Sequence, residues 1–144
     1  MNPFRLVIPS VVHEAMVDHA RTELPNECVG FLAGILEDGV GTVSQCLPLV
    51  NELASPTEFL TEARSLFAAY RAMRAAKTEV LAVYHSHPTS AAIPSRKDVE
   101  RNTYGPDVAW VIIGFGSEPP DVRAWWLTET SFRLATFVTN SPPG

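Results

Sequence analysis

The run Val80-Leu81-Ala82-Val83-Tyr84 is apolar throughout and ends on His85-Ser86-His87-Pro88. A short, unbroken apolar run of this kind reads as a strand buried on both faces. A strand of that type needs neighbours on either side and cover above and below, so it commits the chain to a layered sheet. It also brings two of the protein's four histidines to one end. Residues i and i+2 on a strand share a face, so His85 and His87 can aim both rings at one point. Ser95-Arg96-Lys97-Asp98 follows after a short loop, and Asp98 would have to fold back to reach that point.

The rest of the chain supplies the neighbours. Phe4 to Ile8 reads as a first strand, with Ser10 as a candidate N-cap for a helix from Val11 to about Leu24. Val12, Ala15, Met16 and Ala20 fall on one face of that helix. His13 and His19 fall on different faces, so they make no helical metal pair. Glu27 to Leu36 is a charged start followed by an apolar strand, and Glu37-Asp38-Gly39 turns it into a hairpin with Gly41 to Leu47. Thr61 is a cap candidate for a second helix bearing Ala63, Leu66, Phe67, Tyr70 and Met73 at helical spacing. Arg64, Arg71, Arg74 and Lys77 form its solvated face. Ser95 to about Tyr104 reads as a third helix, Asp107 to Phe115 as a central strand, and Val122–Leu127 and Phe132–Val138 as two closing strands. The expectation is an α/β fold, a mixed β-sheet flanked by helices, as one domain over 1–139 with a flexible tail at 140–144.

Composition narrows the partners. A chain of 144 residues with 46 % hydrophobic content can build one core without a disulfide staple. A net charge of −5 argues against nucleic acid, which demands clustered Lys and Arg. No apolar run reaches membrane-spanning length. The start, Met1-Asn2-Pro3-Phe4-Arg5, has no signal-peptide pattern, so a cytoplasmic protein is expected. Cys28 and Cys46 are then expected to be free thiols.

Two imidazoles and a carboxylate suit zinc, whose catalytic sites keep three protein ligands and leave a fourth position open. Ser95-x-x-Asp98 also has the form of a helix capping box, which explains both residues without any metal. The sequence alone leaves both readings open.

The full pattern, His85-x-His87, seven residues, then Ser95-x-x-Asp98, resembles the H-x-H-x7-S-x2-D signature of the JAMM (MPN-plus) metalloproteases. Glu27-Cys28-Val29-Gly30-Phe31-Leu32-Ala33-Gly34 resembles the family's upstream glutamate and Gly-containing strand. The resemblance runs from the first strand to Trp125. It implies a cytidine-deaminase-like mixed sheet and one Zn2+ per chain held by His85, His87 and Asp98. It further implies Glu27 as general base and Ser95 as the oxyanion-stabilising serine. Cys28, next to Glu27 on an extended chain, should face the other way as a core thiol.

The compact chain is most similar to the stand-alone bacterial, Mec-like branch. That likeness implies hydrolysis after the C-terminal Gly-Gly of a ubiquitin-like sulfur carrier protein, releasing an amino acid such as cysteine or a C-terminal extension. The segment Asn51 to Phe59 resembles the branch's substrate-side loop, which nominates Asn51, Ser55, Thr57 and Phe59 as substrate-binding residues. A monomer or a homodimer fits equally. The competing reading is a non-catalytic MPN-type interaction module, but such modules usually lack one or more ligands, and here every expected position is filled. A zinc deaminase would need H-x-E and P-C-x-x-C, and neither occurs.

Overall fold

The computed structural model describes residues 4–139, so the expected tail at 140–144 lies outside the described residues. Eight strands form one mixed sheet: β1 (Arg5–Val7), β2 (Val29–Glu37), β3 (Val40–Leu49), β4 (Glu79–His87), β5 (Ala109–Gly114), β6 (Asp121–Leu127), β7 (Phe132–Ala135) and β8 (Phe137–Val138). Three helices accompany them: α1 (Ser10–Glu23), α2 (Ala63–Ala76) and α3 (Arg96–Glu100). The spatial order is β7-β6-β5-β4-β2-β3-β1-β8. The β4–β5 pair is parallel and the β2–β4 pair antiparallel.

The two central strands are buried for a chemical reason legible in their side chains. β5 is Ala-Trp-Val-Ile-Ile-Gly and is buried at every position. β4 is buried from Leu81 to His87. One face of the sheet packs on α1 through a cluster that includes Leu6, Met16, Leu32, Tyr84, Val111 and Trp126. The opposite face packs on α2 through Phe31, Ala69, Met73, Val83 and Ile112. His85 and His87 emerge on this second face.

The β2–β3 hairpin turns at Asp38 and Gly39, both at positive φ, the pairing that matches strand twist in a two-residue loop. Gly30 lies opposite Tyr84, and a Cβ there would come within 2.3 Å of the Tyr84 ring. The glycine therefore lets the tyrosine lie flat across β2, where its hydroxyl meets His19 Nδ1 at 2.7 Å. His19 is half-buried and ties α1 to β4 through this contact.

Several expectations are corrected. Ser10 does not cap α1: Pro9 takes the cap position and Ser10 is already helical, with no side-chain cap hydrogen bond. Ala15 is exposed, while Val12, Met16 and Ala20 carry the buried stripe. Thr61 pairs with Asn51 in an isolated bridge, and the carboxylate of Glu62 caps α2 instead, accepting from Ser65 N at 2.9 Å. Phe67 is 71 % exposed and Tyr70 45 %, because the sheet-facing stripe of α2 runs through Ala69 and Met73. The third helix ends at Glu100, four positions before Tyr104, where Asn102 Oδ1 accepts from Tyr104 N and turns the chain. The last expected strand is split at Thr136. Its first half pairs with β6 and its second half pairs with β1 at the far end of the order. The sheet thus curls until its two ends meet, with the Phe4 and Trp126 rings edge-on at 5.1 Å.

Candidate active site

β4 delivers His85 and His87 to one point, as period-two geometry requires. Their Nε2 atoms lie 3.2 Å apart. Asp98, in the first turn of α3, comes back to meet them, with Oδ1 3.2 Å from His85 Nε2 and Oδ2 3.2 Å from His87 Nε2. The loop between them is held down hard. Trp125 Nε1 donates to Ala92 O at 2.9 Å, and Gly116 N donates to Ser90 O at 3.0 Å. The loop backbone lies so close to β5 that a Cβ on Gly114 would sit 2.5 Å from Ala92 N. None of Gly114, Ala92 and Trp125 stood out in the sequence. Their role is contact between segments far apart in the chain.

His87 Nδ1 donates to Ala91 O at 2.8 Å, which leaves Nε2 as the lone-pair nitrogen of the neutral ring. Burial alone would raise the Asp98 pKa, but the two histidines and Ser95 N hold it well below the carboxylate range. Burial lowers the pKa of His87, yet Asp98 and the Ala91 carbonyl leave it raised overall. Two imidazole nitrogens and a carboxylate facing one another in a buried pocket need a proton or a metal cation shared among them.

The spacing fits a metal. A tetrahedral ion bonded at about 2.0–2.1 Å separates its ligand atoms by about 3.3 Å, close to all three distances here. Together these residues form a group that could hold a metal ion. Among the described residues only two buried side-chain polar atoms have no partner, His85 Nδ1 and Trp110 Nε1, and both rings belong to this site. Unpaired buried polar atoms cost stability and are tolerated chiefly where function requires them.

Glu27 lies two residues before β2. The antiparallel register that pairs Val29 with His85 carries Glu27 to the level of His87. Its side chain is only 6 % exposed. Burial pushes the Glu27 carboxyl up to about 7, with Asp98 and Glu58 adding to the rise and His87 and Lys97 opposing it. Cys28 is buried in the α1-side core, as expected, and burial pushes its thiol up to about 12. Ser95 caps α3 in a complete capping box: its Oγ accepts from Asp98 N at 3.1 Å, and Asp98 Oδ2 accepts from Ser95 N at 2.8 Å. Asp98 thus serves the capping box and the histidine cluster at once, so the two readings of the motif describe the same residues.

The segment 51–61 walls the site. Asn51 organises it with its whole amide: Nδ2 donates to Glu27 O and Glu58 O, and Oδ1 accepts from Leu53 N and Leu60 N. Ser55 O accepts from Glu27 N at 2.8 Å, and Ser55 Oγ accepts from Thr57 N. The Phe59 ring lies 5.2 Å from the His85 ring. Trp110 packs beside it, its ring 6.5 Å from Phe59 and 5.9 Å from Tyr104. A cleft of about 440 Å³ is lined by Phe59, Thr103, Tyr104 and Trp110 together with Glu27, Asp98, Lys97 and Arg101. Glu58 bridges it, accepting from Lys97 Nζ at 3.2 Å and Arg101 Nη1 at 3.4 Å.

Residues 9–128 match the family described as prokaryotic homologs of the JAB domain. The chain belongs to this family. It is 36 % identical over 108 residues to the CysO-cysteine peptidase of Mycobacterium tuberculosis, covering 75 % of this chain and 72 % of that one. It is 34 % identical over 125 residues to a probable TtuB-protein conjugate cleaving protease of Thermus thermophilus, covering 86 % and 77 %. A solution structure of a protein from Desulfitobacterium hafniense superimposes with a TM-score of 0.85 at 27 % identity, covering 95 % of this chain and 94 % of that one. The JAMM resemblance of the sequence is therefore family membership, and the fold is the family's. Among the described residues no helix is long and apolar enough to cross a membrane.

Proposed function

We propose that this protein is a zinc-dependent peptidase that hydrolyses the bond after the Gly-Gly end of a ubiquitin-like sulfur carrier protein, releasing an amino acid or a C-terminal extension. One observation carries the reading: a three-donor metal pocket and a buried carboxyl with its pKa near 7 share a single cleft. His85, His87 and Asp98 would hold one Zn2+ per chain. When bound, zinc supplies Lewis-acid activation of water and of the scissile carbonyl.

The protein's own groups do the rest. Glu27, poised near neutrality, takes a proton from the attacking water and passes it to the leaving nitrogen. The water oxygen bonds to the glycine carbonyl carbon as the C–N bond breaks, leaving a glycine carboxylate and a free amine. Ser95 can serve the oxyanion while capping α3, because capping uses its oxygen as an acceptor and leaves the hydroxyl hydrogen free to donate. The clamped loop after His87 holds these groups in place before substrate arrives.

The shape of the cleft supports the substrate class. Thr57, Phe59, Leu60, Thr103 and Tyr104 line it beside Glu27 and Asp98. A glycine tail without side chains can lie in such a slot and approach the backbone closely. Phe59 packs on His85 as a floor for that tail, Thr57 lies at the cleft wall, and Asn51 and Ser55 hold the wall to the backbone of Glu27. Relatives named for CysO-cysteine and for TtuB-protein conjugates support the same class.

The test is to load the protein with zinc, offer a ubiquitin-like carrier extended beyond Gly-Gly, and read the products by mass. Cleavage after Gly-Gly that disappears on chelation and returns with zinc is the expected result. Undiminished cleavage by the metal-free protein sinks the mechanism.

A further inference from the structure

Resting on the peptidase reading just given, we infer that Lys97 and Arg101 form a receptor for the free α-carboxylate of the departing amino acid, making the enzyme selective for release of a single C-terminal residue. Both side chains line the cleft that contains Glu27 and Asp98. They already hold one carboxylate between them: Glu58 gives Oε2 to Lys97 at 3.2 Å and Oε1 to Arg101 at 3.4 Å. Glu58 shows that the two cations can share a carboxylate, one oxygen each.

The pair is not saturated by Glu58. Among the described contacts Lys97 uses one of its three donors and Arg101 one of its five. The donors left free on both side chains can bind a second carboxylate beside Glu58. Arg101's planar fork suits carboxylate geometry in particular.

The shared cleft places the receptor beside the reacting groups. In a C-terminal residue the carboxyl carbon lies two bonds from the scissile nitrogen, about 2.5 Å away. A group that reads this carboxylate must therefore border the catalytic centre. Lys97 is the residue before Asp98, and Lys97 and Arg101 line the same cleft as Glu27 and Asp98. An isopeptide-linked protein has no carboxylate at that position, so the same pair would favour a released amino acid over a bulky conjugate.

The experiment uses the zinc-loaded full chain and a ubiquitin-like carrier whose Gly-Gly end is extended by one cysteine. The extension is made as the free acid and as the primary amide, which removes the charge alone. The wild-type ratio of kcat/KM, acid over amide, is expected to be about tenfold, in the range of one charge-assisted hydrogen-bonded contact. In the Lys97→Met, Arg101→Met double variant the ratio falls to near one. Arg101→Gln alone, at an exposed position, gives an intermediate ratio and covers the case in which the double variant does not fold. A wild-type ratio near one, or an unchanged ratio in these variants, overturns the inference while leaving the peptidase reading intact. Cleavage of neither substrate by the zinc-loaded wild type overturns both.

Discussion

Cys28 and Ser86 hydrogen-bond to each other twice at the mouth of the β2–β4 ladder: Cys28 N donates to Ser86 Oγ at 2.9 Å and Ser86 N donates to Cys28 O at 3.3 Å. Each residue neighbours a residue of the active site. Ser86 sits between the two histidines, and Cys28 follows Glu27. This clasp sets how far Glu27 stands from the metal pocket. Ser86→Ala leaves a buried amide without its acceptor, so a loss of about 1–3 kcal/mol in a denaturant melt is expected. It should also lower kcat by more than it lowers zinc content, because the ligands remain and the base moves.

Glu27→Gln keeps the size of the side chain and removes its proton-carrying ability. The expected result is a fall in kcat of about 10²–10⁴-fold, the usual span for loss of a general base. Zinc stoichiometry by elemental analysis should stay at one per chain. Full activity in this variant would remove Glu27 from the chemistry.

Glu27 also leaves a mark on stability in the metal-free protein. Its folded pKa of about 7 lies above the ordinary 4.5, because burial penalises the charge. A raised carboxyl binds more protons folded than unfolded, so its stabilising contribution is complete below pH 4.5 and is lost as pH rises through 7. The metal-free wild type should lose about 2–3 kcal/mol over that interval relative to Glu27→Gln. Parallel pH–stability curves for the two proteins would refute the assignment.

Gly114→Ala touches no metal donor. Its Cβ would meet Ala92 N at 2.5 Å and Ala91 C at 2.7 Å, forcing the His87–Ser95 loop off β5. That loop carries the Ala91 carbonyl that orients His87 and leads into Asp98. Weaker zinc binding by about 10–100-fold, the range for disturbed outer contacts, is expected in a competition titration.

Much of this was legible in the sequence because it is written in local periodicity. The His85-x-His87 pair, the buried β4 and β5, the Asp38-Gly39 hairpin and the Ser95–Asp98 capping box each depend on residues a few positions apart. What escaped depends on contacts across the chain. Ser10 and Thr61 are good cap residues by type, but Pro9 and Glu62 occupy those positions because the preceding segments fix where each helix begins. Phe67 has helical spacing with Ala63 and Tyr70, yet the direction of the sheet leaves it in water. At the site, the histidines and Asp98 form a short-range motif, whereas Trp125, Gly114 and the Lys97–Glu58–Arg101 bridge are brought there only by the fold.

The split final strand has a consequence for how the molecule meets its neighbours. An open sheet presents two rows of unpaired backbone groups to any passing chain. Here one bent segment finishes both rows, four residues of it against β6 and two against β1. The terminating strands are too short to template a long ladder, and the longer ones are enclosed. A nick or truncation in 132–138 would unmask both borders together and turn a self-limiting particle into a seed for edge-to-edge association, even though every catalytic group lies elsewhere.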